Sequence, residues 1–433
     1  MDESLKRVLG QIFKSKFGER TFVPGQSPVP VSGKVFNDAE LIGGVEAVLD
    51  GWWTEGRFAT QFEKEFAKYL GLRYVTLVNS GSSANLVALS ALTSKVFKDR
   101  ALEPGDEVIT VATGFPTTVN PIIQNRLVPV FIDNDLSTKN ATVAGIQKAI
   151  SKKTKAIMIA HTLGNPLPLR GIMELVKAHN LWFIEDCCDA LGSTYDGKPV
   201  GNFGHIATFS FYPAHQITMG EGGAIVTNNP WIHMALRQFR DCGRDCWCGT
   251  GEDNVCRRRF GWKLGALPMG YDHKYIYSQI GYNLKLTDMQ AAIGLAQLRK
   301  LPAFIKLRKK NFATLLSGLR KYSKYLLFTT AEKEADPCWF GFTIVVRDGA
   351  PFTKLELVKY LEDKKIATRS LFSGNLLKHP AYLHRKDVRI VGKLDNSDKI
   401  MEDGFWIGVY PGITKEMMRY VIQTFDSFFR NIH

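Results

Sequence analysis

The chain has 433 residues, of which 45% are hydrophobic and 23% charged, and its formal net charge is +14. This composition is typical of a globular protein, and the length leaves room for more than one domain. The sequence contains no run of about 18 apolar residues, so no membrane span is predicted. The start, Met1-Asp-Glu-Ser-Leu-Lys-Arg-Val, has no apolar signal core, so a cytoplasmic location is expected. The basic charge indicates either a solvated basic surface or attraction to an anionic ligand, and the short basic runs do not favour nucleic acid binding.

Strands and helices alternate along much of the chain, which predicts an α/β fold with a mainly parallel sheet. A helix and a Pro/Gly-rich arm are predicted over 1–33, and a large domain over 34–309. The predicted short apolar strands are Tyr74–Val78, Asp106–Ala112, Val128–Asp133, Ala156–Ala160 and Leu181–Asp186. A helix over Thr287–Gly318, expected to break at Pro302, leads into a predicted smaller α+β domain over 310–433.

The segment Asn79-Ser-Gly-Ser-Ser-Ala-Asn85 lies between a predicted strand and an apolar helix. Backbone N–H groups and the dipole at a helix start favour a bound anion. Serine and glycine also cap helices without binding a ligand. The segment therefore predicts a helix start that is a candidate anion site.

A second segment, Ser210-Phe-Tyr-Pro-Ala-His-Gln-Ile-Thr-Met-Gly-Glu-Gly-Gly223, lies between two predicted strands. It resembles the active-site loop of the DegT/DnrJ/EryC1/StrS family of vitamin B6-dependent sugar aminotransferases. In that family a lysine of this loop bonds covalently to pyridoxal phosphate. Here His215 stands at the lysine position, and no lysine lies between Ser210 and Gly223.

The resemblance implies an aspartate-aminotransferase-like fold, that of the fold type I pyridoxal phosphate enzymes, with the cofactor bound in the large domain. The implied cofactor contacts are Gly81, Ser82, Ser83 and Ser210 at the phosphate, Phe115 stacked on the pyridine ring, and Asp186 beside the ring nitrogen. A carboxylate there keeps the ring protonated and able to accept electrons. Asn283 would reach the cofactor phosphate of a neighbouring subunit, so the resemblance also implies a homodimer.

The histidine changes the expected chemistry. It cannot bond to the cofactor as a lysine does, but it can act as a general base near neutral pH. The cofactor would then be unattached pyridoxamine phosphate, and the expected reaction is dehydration at C3 of a nucleotide-linked 4-keto-6-deoxyhexose. Asp189 and Tyr212 flank His215 in the expected site and are predicted to favour dehydration over transamination. The other interpretations are an inactive aminotransferase, a sugar aminotransferase and a non-catalytic cofactor-binding regulator.

Four of the seven cysteines, Cys188, Cys246, Cys248 and Cys256, follow the pattern Cys-x57-Cys-x-Cys-x7-Cys. In a cytoplasmic protein such clustering favours metal or redox chemistry over disulfides. Together with the histidine loop, the pattern resembles the iron–sulfur branch of the family's 3-dehydrases, which implies a [2Fe–2S] cluster with its loop at 242–256. Four thiolates also bind zinc, and Cys242 is a rival for one of the four positions.

That branch also implies a substrate and a partner. Replacing a hydroxyl by hydrogen takes two electrons, and the resemblance implies a separate NAD(P)H-dependent flavin and iron–sulfur reductase as their source. CDP is the usual nucleotide of the branch, but dTDP-linked relatives exist, so the sequence leaves the nucleotide open. The first alternative is a cluster-free dehydrase whose cysteines bind zinc or nothing. Arg369, in the predicted small domain, is a further candidate for substrate binding.

Overall fold

The computed structural model describes residues 1–18 and 21–432. Its helices are α1 Glu3–Phe17, α2 Asp38–Leu49, α3 Arg57–Leu70, α4 Gly81–Ala91, α5 Pro116–Gln124, α6 Val143–Ala149, α7 Leu169–Ala178, α8 Pro230–Arg240, α9 Asp288–Leu319, α10 Lys354–Asp363, α11 Asp395–Asp403 and α12 Lys415–Arg430. Its strands are β1 Tyr74–Val78, β2 Glu107–Val111, β3 Val128–Ile132, β4 Thr154–Ala160, β5 Trp182–Asp186, β6 Thr194–Tyr195, β7 Lys198–Pro199, β8 Ile206–Ser210, β9 Gly223–Thr227, β10 Leu326–Phe328, β11 Ala335–Asp336, β12 Gly341–Val346, β13 Thr368–Arg369, β14 Arg389–Ile390 and β15 Gly404–Gly408. No helix within these described ranges is both long and apolar enough to cross a bilayer.

The large sheet has the strand order β1-β9-β8-β5-β4-β2-β3-β14. All neighbours in it are parallel except β9, which runs antiparallel to both β1 and β8. Its strands β2, β5, β8 and β9 are buried along their whole length because helices cover both faces. The carboxyl ends of β1, β2, β5 and β8 therefore meet at one edge, which is where open α/β sheets bind ligands.

A second sheet, of order β10-β12-β15-β13, is antiparallel throughout and has its own apolar core with α9, α10 and α12. Val29 of the N-terminal arm pairs with Ile366 and joins this core. Conversely, β14 pairs with β3 and so returns to the large sheet. Contacts thus cross the proposed boundaries at 33/34 and 309/310, and those boundaries stay predictions.

Helix α9 runs unbroken through Pro302, so the predicted break was wrong. A proline inside a helix removes one backbone hydrogen bond and costs about 3 kcal/mol. The neighbouring turn buries Leu301 and Phe304 against the large-domain core. That burial offsets the local cost, and the continuous helix connects the two cores.

A buried polar cluster anchors β5 beneath the site described below. The Glu185 carboxylate accepts three backbone N–H groups from the segment 201–204 at 2.6–2.9 Å. It also lies 3.2 Å from His161 Nε2, while His161 Nδ1 accepts the N–H of Leu167 at 3.0 Å. With Cys187 these two side chains form a group whose ligand atoms lie within 4.8 Å of one another. Because both histidine nitrogens are occupied by hydrogen bonds, we interpret this group as structural and not as a metal site.

Replacing Glu185 by glutamine is expected to lower the free energy of unfolding by about 2–4 kcal/mol at pH 7. Burial raises the pKa of Glu185, but hydrogen bonds from His161 and the backbone outweigh it and hold that pKa below its usual value. The carboxylate therefore contributes stability above its unfolded pKa of about 4.3, and this contribution is lost as the pH falls through the folded pKa. Urea unfolding of both proteins at pH 7 and at pH values below about 4 measures the difference.

The matched control is Glu103→Gln, because the Glu103 side chain is 65% exposed. We expect that variant to stay within about 0.5 kcal/mol of the parent at both pH values. Equal losses for the two variants, or a loss for Glu185→Gln that does not shrink at acidic pH, would contradict the anchoring role.

Candidate active site

A cavity of about 370 Å³ opens at the carboxyl ends of β5 and β8. Its walls come from the large domain, the arm at Val31 and Ser32, and the small domain at Arg369 and Trp406. The structure brings together in its lining most of the site residues predicted from the sequence: Gly81, Ser82, Phe115, Asp186, Cys188, Asp189, Ser210, Tyr212 and His215. Among the described residues, Ser83 and Asn283 lie outside this lining, as do the three loop cysteines.

The end of the cavity that is predicted to bind phosphate is formed by the start of α4 and the end of β8. Ser80 caps α4 by accepting the N–H of Ser83 at 3.1 Å. A Cβ placed on Gly81 would lie 2.4 Å from the Cβ of Ser210. Helix start and strand end therefore approach closely enough for backbone N–H groups and the Ser210 hydroxyl to face one anion. Ser83 contributes its backbone N–H to the cap, and its hydroxyl donates to Asn79 at 2.6 Å.

Replacing Gly81 by alanine is expected to weaken binding of pyridoxamine phosphate about 5- to 150-fold, the equivalent of an overpacking cost of about 1–3 kcal/mol. The new methyl group would push Ser210 away from the anion site. Fluorescence titration with the cofactor measures the affinity. The control is Gly44→Ala, because a Cβ on Gly44 would meet nothing closer than Ile293 Cγ1 at 3.7 Å. An unchanged affinity in Gly81→Ala would show that the phosphate lies elsewhere.

Asp186 is held by donors that the sequence did not reveal. Its Oδ2 accepts from Asn85 Nδ2 at 2.8 Å and from Thr118 Oγ1 at 2.7 Å. Its Oδ1 accepts the N–H of Cys188 at 3.1 Å. Asn85 in turn accepts from Thr208 of β8 at 2.6 Å. This chain of hydrogen bonds fixes the carboxylate in one orientation at the cavity wall.

His215 and Asp189 form the polar pair of the cavity. His215 Nδ1 lies 3.3 Å from Asp189 Oδ1. In the described chain, His215 Nδ1 and Asp189 Oδ2 are both buried without a well-aligned hydrogen-bond partner. Buried polar atoms are rarely left unpaired, so their position beside the cavity fits a site that a ligand completes. With Nδ1 turned to Asp189, Nε2 is the nitrogen available to a bound molecule.

The backbone of the His215 loop is held by Arg308, a residue that the sequence analysis did not single out. The fully buried guanidinium donates to the carbonyl oxygens of His215 at 3.0 Å and Ala214 at 3.4 Å. It also donates to Trp339 and Phe340, each at 3.3 Å. Arg308 thus joins the loop to the small domain. The available signal was its position on α9, one turn after the buried Phe304 and on the same apolar face.

The three loop cysteines lie near one another, away from this cavity. The pKa of Cys246 is raised, chiefly by burial and further by the neighbouring thiols of Cys248 and Cys256. The Cys256 sulfur lies 3.9 Å from His273 Nδ1, and His273 Nε2 lies 2.8 Å from Asp245 Oδ2. Soft thiols beside a carboxylate-oriented histidine are a donor set that suits zinc or iron.

Cys188 lies instead in the cavity. Its sulfur is 3.0 Å from the place a Cβ on Gly81 would occupy. Burial and the nearby Asp186 carboxylate raise the pKa of its thiol. Cys242 is exposed, with a positive φ of 62°, at the base of the loop. Within the described ranges, none of the four proposed ligands belongs to a group of three or more whose ligand atoms lie within 4.8 Å.

The polar and aromatic groups of the cavity suit the chemical groups of pyridoxamine phosphate. The cradle at Gly81 and Ser210 suits a phosphate, the fixed Asp186 carboxylate suits a protonated ring nitrogen, and the exposed ring of Phe115 lies beside both. His215 and Asp189 lie where a proton can be moved on the bound molecule. Among the residues that the structure describes, Cys188 and the three loop thiols do not come together as one close group of ligand atoms.

Comparison with known proteins agrees with this geometry. The chain matches the model of the DegT/DnrJ/EryC1/StrS aminotransferase family over residues 36–426. It is 52% identical over 427 residues to the lipopolysaccharide biosynthesis protein RfbH of Salmonella typhimurium, and the aligned region covers 99% of this chain and 98% of that protein. It is 50% identical over 408 residues to the dTDP-4-dehydro-2,6-dideoxy-D-glucose 3-dehydratase of Saccharopolyspora spinosa, and the aligned region covers 94% of this chain and 88% of that protein.

Among solved structures, the chain is similar to Escherichia coli GDP-4-keto-6-deoxy-D-mannose-3-dehydratase with bound hydrated PLP. The TM-score is 0.83 at 30% identity, over 92% of this chain and 98% of that one. This likeness confirms the predicted fold type I, aspartate-aminotransferase-like architecture. The chain belongs to the DegT/DnrJ/EryC1/StrS aminotransferase family.

Proposed function

We propose that the protein is a pyridoxamine phosphate-dependent 3-dehydrase of a nucleotide-linked 4-keto-6-deoxyhexose. The observation that carries this proposal is His215 at the lysine position of the family, paired with Asp189 in the cofactor cavity. No lysine is among the described residues of the cavity lining. A site without that lysine but with the other cofactor contacts in place supports altered chemistry and not an inactive aminotransferase.

Each residue has a distinct task in this proposal. Bound pyridoxamine phosphate supplies an amine for the sugar ketone and a ring that accepts electrons. Asp186 keeps the ring nitrogen protonated, and the start of α4 with Ser210 binds the phosphate. His215 accepts a proton at Nε2, while Asp189 fixes the orientation of its ring. Tyr212 lines the cavity and is 51% exposed, so it is available to a bound substrate.

The finer proposal is a [2Fe–2S] enzyme acting on CDP-6-deoxy-L-threo-D-glycero-4-hexulose, with an NAD(P)H-dependent flavin and iron–sulfur reductase as electron donor. The cysteine pattern and the three neighbouring loop thiols support the cluster. The resemblance supports a homodimer in which Asn283 reaches the partner's cofactor. The relatives whose names include a nucleotide carry dTDP or GDP, so CDP rests on the resemblance alone.

A cluster-free 3-dehydratase is the second candidate. It is favoured by one observation, that Cys188 and the loop thiols do not form one close group within the described chain. In that case the cysteines bind zinc or nothing, and the product is released without reduction at C3.

The experiment is a visible absorption spectrum of anaerobically purified protein before and after dithionite, with iron and sulfide analysis. Bands that bleach on reduction, with roughly two iron atoms and two sulfides per chain, support the cluster. Dehydration is tested separately by loading the protein with pyridoxamine phosphate and following CDP-, dTDP- and GDP-linked 4-keto-6-deoxyhexoses by mass spectrometry. Dehydration without bleachable bands, even after reconstitution, would favour the cluster-free enzyme, whereas no dehydration of any of these sugars would overturn the proposed function.

A further inference from the structure

We propose that each metal centre is built across two copies of this chain, with Cys188 supplied by one protomer and Cys246, Cys248 and Cys256 by the other. This inference rests on the proposed function, because it takes the four cysteines as one ligand set. It adds that the ligand set is completed between two chains and not within one. One two-fold-symmetric pair of chains would contain two such centres.

Cys188 is fixed to the cofactor site of its own chain. It follows β5 directly, its N–H donates to Asp186 at 3.1 Å, and its sulfur faces the start of α4 at Gly81. The hydrogen bonds that hold Asp186 therefore also hold this part of the backbone. Cys188 has little freedom to move toward a distant loop.

The cysteine loop lies against the edge of the sheet in its own chain. A Cβ on Gly251 would be 3.1 Å from the ring of Trp52. Trp247 and its neighbours line a cleft together with Tyr74 and Thr76 of the edge strand β1. The cysteine loop therefore shares this cleft with β1 and contributes nothing to the described lining of the cofactor cavity.

Cys188 and the loop thiols have different surroundings within one chain. Cys188 lines the cofactor cavity, and none of the three loop cysteines is among the described residues of that lining. Within the described ranges, no three of the four proposed ligands bring their sulfurs within 4.8 Å of one another. Four sulfurs that bind one small cluster must all lie around it. Within one described chain, Cys188 therefore lacks the loop thiols, and the loop thiols lack Cys188.

The segment that follows the cysteine loop also carries large apolar side chains that its own chain leaves exposed. Met269, Tyr275, Tyr277 and Ile280 are all exposed, Ile280 by 93%. Several large apolar side chains exposed in one short segment favour an interaction site over the singly scattered exposure that is usual on a globular protein. A symmetric second copy is the occupant that also supplies the missing ligand, because every copy has the same unpaired Cys188 and the same three thiols.

The start of the cysteine loop packs on the segment that contains Asn283. Asp241 pairs with Asn283, and Arg244 pairs with Tyr277. A Cβ on Gly243 would overlap the carbonyl of Gln279, so the start of the loop packs directly on the segment that leads to Asn283. The cysteine loop thus extends from the segment that contains Asn283, which the proposed function places at the partner's cofactor.

The test uses mixed dimers of full-length chains with two different affinity tags. In the split pair, one chain carries Cys188→Ser and the other carries Cys246→Ser and Cys248→Ser. A centre shared between chains leaves one intact site, so we expect about two iron atoms and half of the wild-type bleachable absorbance per dimer after reconstitution with ferrous iron and sulfide. A centre within one chain leaves none.

The reciprocal control pairs a wild-type chain with a chain carrying all three substitutions. Here a shared centre leaves no intact site, and a centre within one chain leaves one. Each homodimer variant is first checked by size-exclusion chromatography and for pyridoxamine phosphate binding, which a merely misfolded chain would lose.

Iron in the reciprocal pair but not in the split pair would overturn the proposal. So would full iron binding by the Cys188→Ser homodimer, which would make His273, 3.9 Å from Cys256, the candidate fourth ligand. Failure of wild-type protein to bind iron would also overturn it, while leaving dehydration, which is measured separately, intact.

Discussion

The His215→Asn variant is expected to lose roughly 10²–10⁴-fold in kcat for dehydration, the contribution of a positioned general base. Its affinity for pyridoxamine phosphate should change little, because the proposed phosphate and ring contacts at Gly81, Ser210 and Asp186 are unchanged. Asparagine fills a similar space beside Asp189 but cannot accept the proton. Single-turnover formation of the dehydrated sugar by cofactor-loaded protein measures kcat, and a cofactor titration measures binding.

Two companion variants make this result specific. His384→Asn changes an exposed histidine far along the chain from the loop and should keep wild-type turnover. His215→Lys should bond covalently to pyridoxal phosphate, which borohydride reduction and mass spectrometry of the peptide would detect. Wild-type turnover in His215→Asn would mean that another group moves the proton, and the assignment of His215 would fail.

The parts of the site that lie next to one another in sequence were predictable. A local change from apolar to small or polar residues marks three segments in the sequence: the strand before Asp186, the helix start at Gly81 and the loop at His215. Parallel strands bring their carboxyl ends to one edge. The fold class therefore already implied that these three segments meet, and the family resemblance supplied the roles.

The residues that hold the site together were not predictable in the same way. Asn85 and Thr118 reach Asp186 across 101 and 68 positions of sequence, and this contact depends on how α4 and α5 cross the sheet. Arg308 binds loop carbonyls 93 and 94 positions away. Side chains of this kind carry no local motif, because their function is defined by the tertiary contact.

The cysteine pattern shows a different limit of sequence reasoning. Spacing predicts which thiols can act together, but not which chain supplies each one. Cys188 lines the cofactor cavity and the loop thiols do not, which only the tertiary structure reveals. The predicted break at Pro302 was wrong for a similar reason. The rule that a proline breaks a helix uses only the local sequence, so it could not include the burial of the adjacent turns in two cores.

The second large effect is expected for Asp186→Ala, which should lower kcat/KM by roughly 10²–10³-fold, comparable with the loss of one preorganised charge or donor in an active site. Without the carboxylate, the ring nitrogen of the bound cofactor loses the group that keeps it protonated. The amide of Asn85 and the hydroxyl of Thr118 also lose their acceptor, so the wall of the cavity becomes less ordered. Steady-state kinetics and cofactor titration separate the catalytic loss from weaker binding.

Two further variants divide that loss into its causes. Thr118→Val removes one hydrogen bond to Asp186 but keeps its charge, so we expect a smaller effect of about 5- to 10-fold, the equivalent of about 1–1.5 kcal/mol. Asp348→Asn alters a carboxylate that is 94% exposed and should change neither turnover nor the unfolding midpoint. If Asp186→Ala lowered the unfolding midpoint strongly but kept wild-type kcat/KM below that temperature, Asp186 would be a structural residue. If Thr118→Val matched the full loss, orientation of the carboxylate, and not its charge alone, would govern the chemistry.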